Sequence, residues 1–122
     1  MTDRELLELA AKAAGYPNAK FQNMEGWGET RYGMTSGMWD DSMDDYWNPL
    51  ESSADAIKLS IDLRIDIKHY GDHVICWSGD FFGTGKVPYG DDPLAATRRA
   101  IVLAAVEIER ARATEGERNG ND

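Results

Sequence analysis

The stretch MWDDSMDDYW, residues 38–47, places four aspartates between aromatic residues and is the part of the sequence best suited to bind something. Exposed aromatic side chains beside charge are typical of protein interfaces. The sequence therefore predicts a partner-binding surface made of Trp39, Asp40, Asp41, Asp44, Asp45 and Tyr46. The alternative interpretation is a solvated acidic loop whose aromatic side chains, with that of Trp47, pack onto the core.

The same stretch also has part of the spacing of a calcium-binding loop. Counted from Asp40, oxygen-bearing side chains fall at positions 1, 3, 5, 9 and 12, as calcium loops require. They belong to Asp40, Ser42, Asp44, Asn48 and Glu51. However, Asp45 stands where the sharp turn needs glycine, and Pro49 interrupts the exit from the loop. We therefore predict no metal site and no cofactor.

Three other arrangements suggest chemistry but lack essential parts. The run FGTGK, residues 82–86, resembles a phosphate-binding loop, yet Asp80 replaces its first glycine and Val87 its Ser or Thr. Cys76 and His73 point to opposite faces of a predicted strand, so the thiol is expected to be a small buried apolar group. His69 and His73 could meet across a hairpin, but two histidines make an incomplete zinc site. We predict that the protein is not an enzyme.

Basic side chains of the terminal helix offer a different kind of site. Arg98 borders the apolar stripe and is expected to pair with a carboxylate of residues 40–55, whereas Arg99 should be solvated. Together with Lys86, and with Arg110 nearby, they are candidates to bind an anion such as a nucleotide signal held between protomers.

The charge distribution limits the classes of partner. The formal net charge is −9, and residues 21–56 contain eight acids but only one base, Arg31. Such a field repels DNA and anionic membranes and favours basic protein surfaces. One cysteine and no signal or membrane-spanning pattern indicate a cytoplasmic protein. We expect a protein partner, with a homo-oligomer as a further prediction, and no direct contact with nucleic acid or membrane.

The chain is predicted to form one α+β domain over residues 1–113, followed by a flexible tail over residues 114–122. Capping signals and hydrophobic periodicity predict a short antiparallel β-meander with helices packed on it. The helices are placed at 3–14, 53–63 and from Pro93 onward, and the strands at 64–69, 73–78 and 81–89. Residues 15–52 should form loops and short strands.

One segment fits two structures. From Ile57 to Ile67, apolar and polar residues alternate, which is typical of a strand. Ser52 and Asp55, however, form a helix-capping pattern, and a strand of that length would be unusual. We therefore divide the segment into a helix and a shorter strand.

This order of elements resembles that of the phage ABA sandwich domain, a family of small phage and prophage proteins. The similarity covers roughly residues 1–111 and is carried by two motifs, Trp47–Leu50 in a turn and Ala96–Val102 in the terminal helix. It implies a phage origin and helix 53–63, and it implies no catalytic residue. The predicted function is inhibition of a host defence or nucleic-acid-handling protein in the host cytoplasm. A nucleotide-sequestering protein and a virion or assembly component are the alternatives.

Overall fold

The computed structural model describes residues 1–30, 33–79 and 86–120, with side chains as far as Glu115. Within these residues, three helices and two small antiparallel sheets alternate along the sequence, which confirms the α+β prediction. In order, the elements are α1 (Asp3–Ala13), β1 (Lys20–Asn23), β2 (Ser36–Trp39), α2 (Ser53–Asp62), β3 (Ile65–His69), β4 (His73–Ser78), β5 (Val87–Pro88) and α3 (Pro93–Gly120).

Each helix begins at a side chain that accepts a hydrogen bond from an otherwise unpaired backbone N–H. The Thr2 hydroxyl accepts from the Glu5 amide at 3.1 Å, and the Ser52 hydroxyl accepts from the Asp55 amide at 3.2 Å. Asp92 accepts from the Ala95 amide at 3.0 Å, with Pro93 at the first helical position. The starts predicted from the capping residues are therefore confirmed.

The two sheets lie in different parts of the chain. Strands β3, β4 and β5 form the predicted meander, in which Ile67 lies opposite Cys76 and Val74 lies opposite Val87. Strands β1 and β2 form a separate hairpin within the region expected to hold loops and short strands. The described part of the predicted strand 81–89 is paired only at Val87–Pro88, and residues 81–85 lie outside the described residues.

Helix α3 is the centre of the core and contacts α1, α2 and the three-stranded sheet. Its buried residues are small or β-branched: Ala96, Ala100, Ile101, Val102, Ala104, Ala105, Val106 and Ile108. Small side chains allow neighbouring elements to approach the helix closely on several sides. A helix with a single apolar stripe would be covered on one side only. Leu94, in the first turn of the helix, is 66% exposed.

The domain boundary at residue 113 and the flexible tail over residues 114–122 stay predictions. Helix α3 continues to Gly120, and the Thr114 hydroxyl donates to the Arg110 carbonyl within it. Helix α3 therefore extends beyond Ala113, the last apolar residue of the chain.

The ambiguous segment from Ile57 to Ile67 folds as the predicted helix followed by a strand. Leu59 is 1% exposed, whereas Ile57 is 49% and Ile61 is 57% exposed. A strand would place these three side chains on one face, so their different burial is a property of the helix. Arg64, with φ of 56°, turns the chain from α2 into β3.

Replacement of Leu59 and of Ile57 by alanine should have very different effects on stability. Leu59→Ala leaves a cavity in the core and is expected to lower the free energy of unfolding by about 3 kcal/mol. Ile57→Ala should change it by less than about 0.5 kcal/mol. Urea denaturation followed by circular dichroism measures both values. Similar losses for the two variants would contradict the helical assignment of this segment.

Candidate functional site

The four aspartates lie on the turn that follows β2. Asp40 accepts a hydrogen bond from the Ser42 amide at 2.7 Å and another from the Ser42 hydroxyl, and its carbonyl accepts from the Met43 amide. Met43 is buried and anchors the turn, while Asp41, Asp44 and Asp45 are exposed and Asp40 is half-buried. The turn therefore directs its carboxylates outward from an apolar anchor.

Three aromatic rings lie beside this turn. The ring centroids of Trp39 and Tyr46 are 5.0 Å apart, and those of Trp27 and Tyr46 are 5.7 Å apart in an edge-to-face arrangement. Trp39 and Tyr46 are half-buried, and Trp27 is 48% exposed. We call these three rings and the four aspartates the acidic aromatic surface.

Two open clefts adjoin the acidic aromatic surface. One, of ≈ 190 Å³, lies beneath Trp27 and Tyr46 and has Met24 and Met34 among its lining residues. The other, of ≈ 520 Å³, separates Trp39 and the Asp40 turn from the Gly15–Asn18 connection. The first cleft is smaller than the 300–1,000 Å³ typical of small-molecule sites, whereas the second falls within that range. The size of the first cleft suits contact with protein side chains.

The base of the surface is held by one buried amide, that of Asn48, which is 1% exposed. Its Nδ2 donates to the Ser36 carbonyl at 2.9 Å and to Glu51 Oε1 at 2.9 Å. Its Oδ1 accepts from the Leu50 amide at 2.9 Å, and its own backbone N–H donates to Asp55 Oδ2 at 2.9 Å. The Asn48 side chain thus joins β2 to the turn, and its backbone N–H joins the turn to the start of α2.

The Glu51 carboxylate completes this network. It accepts a hydrogen bond from the backbone amide of Thr35 at 3.1 Å and another from the backbone amide of Ser36 at 3.2 Å. Asn48 and Glu51 are consequently drawn toward β2, whereas Asp40 is paired with Ser42. The side chains whose spacing resembled a calcium loop therefore take part in two separate hydrogen-bonded networks. Within the described residues, no group of three or more His, Cys, Asp or Glu side chains could hold a metal ion.

Trp47 packs inward, whereas the alternative interpretation expected this of Trp39, Tyr46 and Trp47 together. Its backbone pairs with Met38 through bonds of 2.7 Å and 3.0 Å, and its side chain contacts both apolar clusters of the core. Trp39 and Tyr46 pack mainly on each other beside the aspartates. Among the residues predicted to contact a partner, Trp39 and Tyr46 are therefore brought together with the four aspartates.

The basic residues proposed to bind an anion are directed to separate partners inside the molecule. Arg98 donates to the Leu50 carbonyl at 2.9 Å and to the Ser53 hydroxyl at 3.0 Å. It reaches the predicted region, but it contacts a carbonyl and a hydroxyl rather than a carboxylate. Arg99, expected to be solvated, pairs with Asp3 at 3.0 Å, and Arg110 pairs with Glu107. Lys86 is exposed near Asp72.

Cys76 and the two histidines do not meet. Cys76 is fully buried, and desolvation raises the pKa of its thiol to about 12. His69 contacts the Tyr89 hydroxyl, whereas His73 lies beside Asp72 and stacks on Tyr70. The hydrogen bond from His73 lowers the pKa of the exposed Asp72 carboxyl. The prediction of a buried apolar cysteine is confirmed, and the histidines do not meet as suggested.

Comparisons with protein-family models, with curated proteins and with solved structures find no match to this chain. The similarity to the phage ABA sandwich domain therefore stays a prediction. In the described part of the chain, no helix is long and apolar enough to cross a membrane.

Sequence reasoning missed two residues of the site. Trp27 lies between two glycines, Gly26 and Gly28, and an isolated tryptophan in such a segment was the only signal of an exposed aromatic. The role of Asn48 was not visible, because its partners Ser36 and Asp55 lie on either side of it at distances that no local motif specifies.

Replacement of Asn48 by alanine should destabilise the protein, because it removes partners from buried polar groups of β2 and the turn. We expect a loss of about 3 kcal/mol in the free energy of unfolding. Asn18→Ala, at an exposed turn position, is the matched control and should cost less than about 0.5 kcal/mol. Chemical denaturation measures both, and equal effects would contradict the structural role of Asn48.

The Cys76 thiol should be unreactive in the folded protein. Its raised pKa leaves almost no thiolate at neutral pH, and burial blocks access to the sulfur. We expect alkylation by iodoacetamide at pH 8 to be at least about a hundredfold slower in buffer than in denaturant, as measured by mass spectrometry. Similar rates would show that the β4 core is open.

Proposed function

We propose that this protein is a phage or prophage accessory protein that binds and inhibits a host defence or nucleic-acid-handling protein. The acidic aromatic surface would cover a basic surface of that partner. One observation carries the proposal: the turn of residues 40–45 presents four aspartates beside a half-exposed Trp39–Tyr46 pair and an exposed Trp27.

Electrostatics favours a partner that ordinarily binds nucleic acid. Proteins that bind DNA or RNA carry clustered Lys and Arg, and an acidic protein surface competes for the same groups. Residues 21–56, which form the acidic aromatic surface and its supports, contain most of the excess negative charge of the chain. Occupation of a basic groove would exclude the nucleic acid without any catalytic step.

The aromatic residues would supply affinity where the aspartates supply orientation and rate of encounter. Tryptophan and tyrosine are enriched among residues that dominate binding energy, particularly where surrounding contacts exclude water. Trp27, Trp39 and Tyr46 form one contiguous group, and the aspartates border it. An apolar centre with a charged rim is the usual organisation of a protein interface.

The phage assignment is supported by the similarity of the Trp47–Leu50 and Ala96–Val102 segments to the phage ABA sandwich domain. Asn48, in the first of these segments, organises the base of the acidic aromatic surface. A host-directed inhibitor of this kind would act in the host cytoplasm.

The alternative of a nucleotide-sequestering protein is less well supported by the geometry. Arg98 and Arg99 donate to groups of the same chain, so an anion would have to displace those contacts. A role as a virion or assembly component stays a prediction, and its test is the presence of the protein in purified particles.

Simultaneous replacement of Asp40, Asp41, Asp44 and Asp45 by asparagine should abolish partner binding without unfolding the protein. Asparagine keeps the carbonyl oxygen that accepts from the Ser42 and Tyr46 amides but removes the charge. The measurement is capture of host proteins at low salt on immobilised protein, followed by identification and by displacement with duplex DNA.

A second variant controls for net charge. Neutralising Glu8, Asp91, Glu109 and Glu115 to Gln or Asn removes the same number of charges away from the surface and should retain binding. The proposal requires a captured protein that duplex DNA displaces and that the quadruple aspartate variant does not bind. Equal capture by wild type and by the aspartate variant would exclude it.

Trp27→Ala should weaken binding to that captured protein by about tenfold to a hundredfold while changing the unfolding free energy by less than about 0.5 kcal/mol. The expectation follows from the exposure of Trp27 and its edge contact with Tyr46. Tyr70→Ala, at another exposed aromatic residue, is the matched control. Isothermal titration calorimetry distinguishes them, and equal affinities of the two variants would remove Trp27 from the interface.

A further inference from the structure

The edge of strand β3 has the features of a contact with a second copy of this chain. In the three-stranded sheet, β3 is an outer strand, and no described strand pairs with its far edge. Exposed edges of this kind are sites at which another strand can add. The backbone register and the charges of β3 determine which strand fits this edge.

The register of the β3–β4 hairpin determines which backbone groups lie at the open edge. Tyr70 N–H donates to the His73 carbonyl at 2.9 Å, and the next pairs are His69 opposite Val74 and Lys68 opposite Ile75. Hydrogen-bonded and non-hydrogen-bonded pairs alternate in antiparallel sheets. The N–H and C=O groups of Ile65, Ile67 and His69 consequently point away from β4, toward the open edge.

The charges on β3 are arranged so that the strand complements itself. Asp66 and Lys68 are both exposed and lie on either side of Ile67. In an antiparallel pairing centred on Ile67, Asp66 of one copy lies opposite Lys68 of the other, and Lys68 lies opposite Asp66. Pairs of opposite charge at facing positions stabilise a strand pair, and like charges destabilise it.

The hydrogen-bonding pattern agrees with the same pairing. When Ile67 faces Ile67 of the second copy, Ile65 faces His69, so all three residues with outward backbone groups meet one another. Asp66 and Lys68 then occupy a non-hydrogen-bonded pair, where facing side chains are closest. A centre at Asp66 or at Lys68 would also bring outward backbone groups together, but it would place like charges opposite each other, so the charges select the register centred on Ile67.

The helix that leads into β3 carries exposed apolar side chains. Ile57 and Ile61 are 49% and 57% exposed on α2. They lie roughly opposite Asp55, which contacts the Asn48 turn, so they face away from the acidic aromatic surface. An isologous contact at the β3 edge would bring a second copy to this side of the molecule.

We propose that β3 pairs with β3 of a second copy, in antiparallel register centred on Ile67, to join two three-stranded sheets into one. The two acidic aromatic surfaces would remain available on separate protomers. This inference does not depend on the proposed function, since the β3 edge and the 40–45 turn are different parts of the molecule.

Charge exchange at the edge tests the pairing. Asp66→Lys and Lys68→Asp each place like charges at both symmetry-related positions, whereas the double variant Asp66→Lys/Lys68→Asp restores opposite charges. We expect each single variant to weaken dimerisation by about tenfold or more, and the double variant to recover it. Asp91→Lys, which changes net charge as Asp66→Lys does, should have no such effect.

Sedimentation velocity over a concentration series measures the dimerisation constants, and circular dichroism verifies that each variant is folded. Loss in both single variants with recovery in the double variant supports the β3 pairing. A wild-type protein that stays monomeric at its highest soluble concentration overturns it. A dimer that is equally stable in wild type and in either folded single variant also overturns it. If one single variant does not fold, the other single variant and the double variant give the same decision.

Discussion

The structure depends on Asn48, whose buried side-chain amide bonds β2 and the 48–52 turn and whose backbone N–H bonds Asp55 at the N-terminus of α2. Glu51 and the Trp47–Met38 backbone pair add further bonds to β2. A buried amide of this kind tolerates only one arrangement of its neighbours, because any shift leaves a polar group without a partner. The position of the acidic turn relative to the helical core follows from this requirement.

The residues that form the core and those that carry most of the excess negative charge lie in different segments of the chain. Helix α3 supplies a core of small and β-branched side chains that contacts both sides of the molecule, and its Arg98 and Arg99 are used in internal contacts. The turn that carries the acidic residues 40–45 is supported by buried Met43 and by the Trp47–Met38 backbone pair. In the proposed inhibition, the negative charge of this turn acts on a basic surface of the partner.

The sequence was informative where the signal is local. The capping residues Thr2, Ser52 and Asp92 predicted where the helices begin. The alternation of apolar and polar residues in β4 predicted the burial of Cys76. Each of these features depends on neighbours a few residues away. No spacing rule specifies contacts between residues far apart in the chain. Such contacts form the Asn48 network, the Asp3–Arg99 salt bridge and the β1–β2 hairpin. Within the candidate site, the aspartates and Trp39–Tyr46 were identified from composition, whereas Trp27 was not.

Hydrogen exchange of backbone amides, followed by NMR, tests most directly whether Asn48 fixes the base of the acidic aromatic surface. The amides of Leu50 and Ser52, which donate to the Asn48 side chain and carbonyl, should exchange about as slowly as those in the middle of α3. The amides of Gly26 and Gly28, in exposed turns, should exchange rapidly. Rapid exchange at Leu50 and Ser52 would contradict the account, because the turn would then open independently of the core and present no fixed surface.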